Sequence, residues 1–253
     1  MITELNHVAI LVRDRDESVE FYTTVLGGTV AWTARVESIG LDIVYVQVAG
    51  GFIELLHMPQ VTAERPVGID HIAFLSDDLD GDYAALIAAG HVSQSAPATA
   101  GSGVGRTAFV ADPSGARVEL LQRDAPVRDR TLTHPIIRAI DHVAVHAEDL
   151  HASLGFYAAT LGLDRLRTIE IPGSDFAISY VGVGGDMVEL HADDEPVGPS
   201  GFQHIALRVD DVDAALQQLG VSPVGAGARN RQGGPGRIAE FSDPNGVIFE
   251  LLS

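Results

Sequence analysis

The sequence predicts an α+β fold of four β-α-β-β-β modules, paired into two curled mixed β-sheet cups with helices outside. The first observation is a repeat: segments 5–28 and 140–163 align without a gap, and Glu54 and Glu189 keep the same offset of 135 positions. The second is that each copy is itself doubled. An apolar strand with His-x-Ala, an acidic stretch, a helix and a closing strand with Glu-Leu occur four times.

Each module is expected to run through the same elements in order. An alternating apolar strand, NHVAILV in the first module, precedes an Asp-rich stretch that can cap a helix. The helix predicted over 15–26 ends before a glycine, and three strands follow, here TVAWTARVE, DIVYVQVAG and GFIELLH. Gly-Gly or Asp-Pro-x-Gly turns precede the last strand.

The repeats predict the domain boundaries. The first domain covers 1–122 and the second covers 139–253, with the Arg- and Pro-richer segment 123–138 as linker. The four modules span 1–57, 68–122, 140–191 and 201–253.

The composition limits the partners. With 16 Lys and Arg against 35 Asp and Glu the net charge is −19, which disfavours nucleic acid and an anionic membrane surface. The absence of cysteine excludes disulfides, a Cys nucleophile and Cys-ligated metals. No apolar stretch approaches the roughly 18 residues of a membrane span. We therefore expect a cytoplasmic monomer or homodimer that acts on a small-molecule substrate.

Eight polar residues stand in register in apolar strands. A His shares a strand face with a small Ala in each opening strand, and a Glu lies in each apolar closing strand: His7, His71, His142, His204, Glu54, Glu119, Glu189 and Glu250. One such residue alone is typical of a satisfied core His or a solvent-facing Glu. Eight together favour metal ligands, because imidazole and carboxylate bind first-row divalent ions. The pattern predicts up to two metal sites per chain, with the alternative that only one copy keeps the chemistry.

The modules that open with HVA or HIA and close with ELL or ELH resemble the vicinal oxygen chelate superfamily over nearly the whole chain. That superfamily includes glyoxalase I, methylmalonyl-CoA epimerase, extradiol dioxygenases and bleomycin- and fosfomycin-resistance proteins. The resemblance implies that the first-strand His and the last-strand Glu of paired modules hold a metal inside each cup. It leaves two pairings open, adjacent modules or module one with four and two with three.

A Glu at the fourth ligand position in both copies is more similar to glyoxalase I and the epimerases. This resemblance implies a divalent-metal-dependent isomerase, epimerase or lyase, with Zn, Ni, Co, Mn or Fe chelating two neighbouring substrate oxygens. A carboxylate then moves a proton on the adjacent carbon. Two alternatives stay open: an extradiol-type ring-cleaving iron dioxygenase, and a metal-free antibiotic-binding resistance protein, which the complete His and Glu sets disfavour.

Further residues are candidates around these ligands. Glu37 and Glu170, in the second strands, are candidate bases, with a solvent-facing carboxylate as the alternative. Polar groups placed to orient ligands or to contact substrate are Tyr45, Tyr180, His146 and His191. The first copy has Leu11 and Leu56 where the second has the two histidines, so the cups are expected to differ in polarity.

Two glycine-rich segments, 99–106 and 225–237, are candidate lids. They do not fit the dinucleotide-binding pattern between strand and helix. Arg106 and Arg237 are candidates to meet a carboxylate or phosphate of the substrate, with a mobile hairpin that carries solvated arginines as the alternative.

Overall fold

The protein forms two eight-stranded mixed sheets, one from each copy of the repeat. The computed structural model describes residues 1–60, 65–123, 128–170, 176–192, 200–231 and 235–253. In each sheet the hairpin ladders are antiparallel, and β5 pairs in parallel with β8 as β13 does with β16. The predicted α+β class and its four-module repeat are confirmed.

The first sheet joins modules one and two in the order β2-β3-β4-β1-β5-β8-β7-β6. Each sheet therefore pairs adjacent modules, which decides between the two pairings left open above. The strands are β1 (Ile2–Val12), β2 (Thr29–Val36), β3 (Leu41–Val48), β4 (Gly51–His57), β5 (Gly68–Ser76), β6 (Val92–Thr99), β7 (Arg106–Ala111) and β8 (Arg117–Gln122).

The second sheet has the equivalent order, β10-β11-β12-β9-β13-β16-β15-β14. Its β14 has only two residues, so the second strand of module four is much shorter than its counterparts. The strands are β9 (Ile137–His146), β10 (Asp164–Glu170), β11 (Ala177–Val183), β12 (Asp186–Ala192), β13 (Phe202–Val209), β14 (Arg229–Asn230), β15 (Arg237–Ser242) and β16 (Ile248–Leu252).

One helix follows the opening strand of every module. They are α1 (Arg15–Glu20), α2 (Leu79–Ala88), α3 (Leu150–Leu154) and α4 (Val212–Leu219). A π-helical turn extends α1 over Phe21–Val25 and α3 over Gly155–Thr160, so the helical segment predicted over 15–26 is present. The predicted acidic caps are present too, because Asp14, Asp78, Asp149 and Asp211 each accept backbone N–H groups.

The chain divides into two compact units that do not follow the order of the modules. The first unit gathers residues 1–8, 70–126 and 143–203, and the second gathers 9–69, 127–142 and 204–253. The predicted domain boundaries, 1–122 and 139–253 around a linker at 123–138, stay a prediction. The strand β9 begins at Ile137, inside the last residues assigned to that linker.

A buried tyrosine ties distant segments together within each unit. In the second unit the Tyr22 hydroxyl donates to Asp243 at 2.9 Å, and in the first unit the Tyr157 hydroxyl donates to Asp112 at 3.1 Å. Both aspartates open an Asp-Pro-x-Gly turn and also accept backbone N–H groups of that turn. Within the described residues, no helix is long and apolar enough to span a bilayer.

Candidate metal centres

The first group of potential ligands lies on three buried strands of the first unit. The Nε2 atoms of His7 and His71 lie 3.3 Å and 3.2 Å from the same Glu119 carboxylate oxygen. One ligand atom from each of the three lies within 4.8 Å of the other two. The register explains this, because Glu119 pairs with Ala73, which shares a strand face with His71.

The other ring nitrogen of each His is held by a neighbouring side chain. His71 Nδ1 lies 2.7 Å from Asp70, and His7 Nδ1 lies 3.1 Å from the Asn6 carbonyl oxygen, which also accepts from Arg123 at 2.6 Å. With Nδ1–H donating to these oxygens, both rings present Nε2 toward Glu119. Two nitrogens and a carboxylate that converge in a buried position fit a divalent cation.

The electrostatics of this group favour positive charge. Burial opposes protonation of His71, but hydrogen bonds to Asp70 and Glu119 outweigh it and raise the pKa of His71 to about 9. Burial also opposes ionisation of Glu119, yet hydrogen bonds from His7 and His71 keep the pKa of that carboxyl below its ordinary value. The site therefore holds an ionised carboxylate, which a proton or a metal ion can neutralise.

The second group consists of His142, Glu189 and His204, whose ligand atoms also lie within 4.8 Å of one another. The two Nε2 atoms of the histidines are 3.3 Å apart. His142 Nδ1 lies 2.8 Å from Asp141, which accepts in turn from Arg208 at 2.8 Å. Burial would raise the pKa of Asp141, but these two partners lower it, so this carboxylate stays ionised and orients the ring.

The two groups use glutamates from different places in the repeat. Glu119 closes the second module, whereas Glu189 closes the third. Of the four glutamates proposed as ligands, the buried Glu54 and the half-buried Glu250 belong to neither group of three. The structure thus brings together three of the four residues predicted for each site, and leaves one carboxylate per copy for another role.

Tyr45 and Tyr180 occupy equivalent positions, each on the strand next to the one that carries Glu54 or Glu189. Tyr180 is the cross-strand partner of Glu189 and donates its hydroxyl to that carboxylate. Burial, and to a smaller extent the charge of Glu189, raise the pKa of Tyr180, so the hydroxyl keeps its proton. Tyr45 is the partner of Glu54 and packs between Trp32 and Phe52, with ring centroids 5.4 Å and 5.5 Å away.

The candidate bases of the second strands lie in solvent. Glu37 follows β2 in a turn, with a side chain 82% exposed, and accepts a hydrogen bond from Arg35 at 3.1 Å. Glu170 is the exposed last residue of β10. The strand placement expected for Glu37 is therefore off by one residue, because the chain turns immediately after Val36.

The arginines of the glycine-rich segments already have partners. Arg106 forms a two-pronged ion pair with Asp80 at 2.7 Å and 2.9 Å, and Arg237 pairs with Asp213 at 3.1 Å. Both aspartates lie in the first turn of a helix in the same module. The segment 99–106 closes as a tight hairpin between β6 and β7, and residues 232–234 of the other segment lie outside the described residues.

The structure adds one residue that was not singled out from the sequence. Arg167 of β10 places its guanidinium 4.2 Å from the centre of the Tyr180 ring. On the neighbouring strands, His146 and His191 are half-buried, and the ring of Phe176 lies 4.8 Å from that of His191. A signal for Arg167 was present in the sequence: the offset of 135 residues aligns it with Trp32, so a charged residue stands where the first copy has an aromatic one.

The chain thus has two equivalent mixed sheets, each with two histidines and one carboxylate grouped as potential metal ligands. The family model of the Glyoxalase/Bleomycin resistance protein/Dioxygenase superfamily matches residues 4–120 and 139–251. The chain belongs to this superfamily, and the predicted vicinal oxygen chelate resemblance is confirmed.

Two curated relatives carry the same activity in their names. The chain is 25% identical to lactoylglutathione lyase GLX1 of Arabidopsis thaliana over 95% of its own length and 88% of that relative. It is 31% identical to lactoylglutathione lyase of Escherichia coli O157:H7 over 44% of its length and 89% of that relative. These relatives confirm the prediction that the chain is an enzyme.

Solved structures share the fold across the whole chain. The Mn(II)-bound glyoxalase from Novosphingobium aromaticivorans has a TM-score of 0.75 at 21% identity, with 82% of that chain covered. A variant of homoprotocatechuate 2,3-dioxygenase from B. fuscum has a TM-score of 0.74 at 16% identity, with 71% covered. At these identities the likeness establishes the fold.

Proposed function

We propose that the chain is a divalent-metal-dependent isomerase, epimerase or lyase that moves a proton next to a chelated carbonyl of a small oxygenated substrate. The observation that carries this proposal is the convergence of two His side chains and a carboxylate, present once per copy, with all three residues buried in the first group and only His204 half-buried in the second. The lyases among the relatives support the same reaction class.

The chain can hold up to two ions, one at His7, His71 and Glu119 and one at His142, Glu189 and His204. Zn, Ni, Co, Mn or Fe bound there would supply a Lewis acid worth several kcal/mol toward negative charge on a substrate oxygen.

We assign proton transfer to the carboxylate outside each group, and foremost to Glu250. Glu250 pairs with Ala206, which shares a strand face with His204, so its carboxylate is on the ligand-bearing side of β16. It is half-buried, whereas Glu54 of the first copy is buried beside Tyr45. A half-buried carboxylate can both meet a substrate carbon and exchange its proton with solvent.

The test separates metal binding from proton transfer. Glu250→Gln is expected to keep its metal and to slow exchange of the substrate C–H with deuterated water by about 10²–10⁴-fold. Glu189→Gln is expected to lose about one ion per chain. Metal is measured by elemental mass spectrometry after loading with Zn, Ni, Co or Mn, and exchange by NMR with lactoylglutathione and a panel of 2-hydroxy acids and thioesters.

Glu170→Gln is the matched control, since Glu170 is an exposed carboxylate on a strand of the same copy. It is expected to keep both metal and exchange. A wild-type protein that takes up no metal under any loading condition would sink the proposal. An exchange rate of the substrate C–H in Glu250→Gln equal to that of the wild type would also contradict it.

One observation favours a second candidate, an iron-dependent ring-cleaving dioxygenase. Two histidines and one carboxylate with open positions, the donor set of His142, His204 and Glu189, is also the set that non-haem Fe(II) oxygenases use. Protein loaded with Fe(II) without oxygen and then mixed with a catechol and air distinguishes the two. Stoichiometric oxygen uptake supports the dioxygenase, and its absence together with C–H exchange supports the lead proposal.

A further inference from the structure

Arg167 lies beside the second metal group and forms no ion pair with a carboxylate of the described residues. Arg167 and Tyr180 are cross-strand neighbours on β10 and β11, and the guanidinium carbon lies 4.2 Å from the ring centre. Tyr180 donates its hydroxyl to Glu189, a member of that group. Arg167, Tyr180 and Glu189 therefore form a continuous row on one face of the sheet, from solvent to the metal group.

Several other arginines of the described residues form an ion pair with a carboxylate. These ion pairs join Arg106 to Asp80, Arg117 to Asp70, Arg138 to Asp210, Arg208 to Asp141 and Arg237 to Asp213. Within the part of the chain that the structure describes, Arg167 forms no such ion pair and is exposed. The guanidinium also donates a hydrogen bond to the Tyr180 hydroxyl, and its other N–H donors lie at the edge of the ring, where they can bind a planar carboxylate in a two-pronged manner.

The first copy shows that this arrangement is not required by the fold. Trp32 occupies the position of Arg167, with the same strand irregularity before it and the same tyrosine opposite. Trp32 packs against a buried apolar cluster that includes Leu11 and Leu56. The second copy has His146 and His191 at those two places, both half-buried.

Three equivalent positions thus change together, from Trp and two Leu in the first copy to Arg and two His in the second. Ala147, next to His146, donates its N–H to the His191 carbonyl at 3.0 Å, so the ends of β9 and β12 lie side by side. This places the two histidines at the same end of the face. The face is partly open, since Ile178 and Met187 are half-buried as well.

We infer that Arg167, stacked on Tyr180, is a substrate-binding residue that receives a remote carboxylate of the substrate in the second copy. The substrate would be an acid that offers two neighbouring oxygens to the metal and carries its carboxylate some carbons away. This inference rests on the proposed function and names the substrate class of the same site.

Two hydroxamate probes test it. Succinic monohydroxamate offers two chelating oxygens and a remote carboxylate, and butyrohydroxamate offers the same chelate without the charge. With metal-loaded wild-type protein, calorimetry is expected to show tighter binding of the acid. Arg167→Gln is expected to weaken binding of the acid by about 10–100-fold, as for the loss of one hydrogen bond to a charged group. It is expected to weaken binding of the neutral probe by less than about twofold. Arg167→Lys should recover part of the loss.

Arg165→Gln is the matched control, because Arg165 pairs with Val181 and so lies on the opposite face of the same strand. It is expected to bind both probes as the wild type does. Metal content is measured in every sample. If wild type holds metal but does not prefer the acid, or Arg167→Gln keeps the preference, this inference fails alone. If wild type takes up no metal, the proposed function fails and the inference falls with it.

Discussion

The first and third modules have equivalent strand faces that carry different side chains. In the first module Leu11 is fully buried and Leu56 is 3% exposed, in a cluster with Tyr45 and Phe52 that fills the space beside Glu54. In the third module the equivalent positions carry the half-buried side chains of His146, His191 and Met187, and Arg167, at the position of Trp32, is exposed. The backbone register is the same, Tyr45 facing Glu54 as Tyr180 faces Glu189.

The positions of the potential metal ligands and the side chains that surround them can therefore vary separately between the two copies. Both copies have a group of two histidines and a carboxylate, yet the face of the third module is half-buried and carries hydrogen-bond donors, whereas that of the first is packed with apolar side chains. The first module fills its own face with side chains, as a core does. We therefore expect substrate in the second copy.

The links between helix and turn differ in a similar way. In the second unit Asn245 donates to Ser18 at 3.0 Å and accepts from the Arg13 N–H at 2.9 Å. In the first unit Ser114 stands in the place of that asparagine and accepts from the Glu148 N–H at 2.9 Å. Its shorter side chain leaves the Ser153 hydroxyl, equivalent to that of Ser18, buried without a hydrogen-bond partner among the described residues.

The largest expected difference in stability tests the two faces directly. Leu56→Ala should lower the free energy of unfolding by about 2–5 kcal/mol, because it opens a cavity in a packed cluster. His191→Ala, at the equivalent half-buried position, should change it by less than about 1 kcal/mol. Urea unfolding of both variants measures the contrast. Equal losses would mean that the third module's face is a packed core and not an open one.

The next effect concerns the buried link between Tyr157 and Asp112. Burial raises the pKa of Asp112 to about 6, against an ordinary value of 3.8, although backbone N–H groups and the Tyr157 hydroxyl partly offset it. The folded protein then binds this proton more tightly than the unfolded chain does. As a result, the ionised Asp112 carboxylate lowers the free energy of unfolding by up to about 3 kcal/mol at neutral pH. This loss is recovered as the pH falls from 7 toward 4 and the carboxyl takes up its proton.

Asp112→Asn should remove that pH dependence, which urea unfolding between pH 4.5 and 8 would show. Asp80→Asn is the control with the opposite sign. The hydrogen bond from Arg106 lowers the pKa of Asp80, so its contribution is lost as pH falls. A variant Asp112→Asn whose stability follows the wild-type pH profile would contradict the assignment of the raised pKa to this carboxyl.

The smallest effect would make the two turns alike. Ser114→Asn should raise the free energy of unfolding by about 0.5–1.5 kcal/mol, because its amide can donate to the Ser153 hydroxyl as Asn245 does to Ser18. The gain should vanish in a Ser153→Ala background, where there is no hydroxyl to receive it. An equal gain in both backgrounds would assign the effect to the turn itself.

Much of the architecture was predictable because it is local and repeated. The Asp-capped helices and the strand faces follow from spacing, and the offset of 135 carries each from one copy to the other. Periodicity did not predict the two-residue β14 or the turn at Glu37, since strand ends depend on which neighbour is present to bond. The partners of Arg106 and Arg237 were missed for the same reason: helix and hairpin meet only after folding.

The four-module repeat, the superfamily and the eight His and Glu positions could be inferred from the sequence, because each depends on residue types at fixed spacing. Only the tertiary structure decided which modules share a sheet and which glutamate joins which pair of histidines. It also decided that one ligand-bearing face is packed and the other partly open. Those outcomes depend on side chains distant in sequence competing for the same volume and charge, which no single strand's pattern contains.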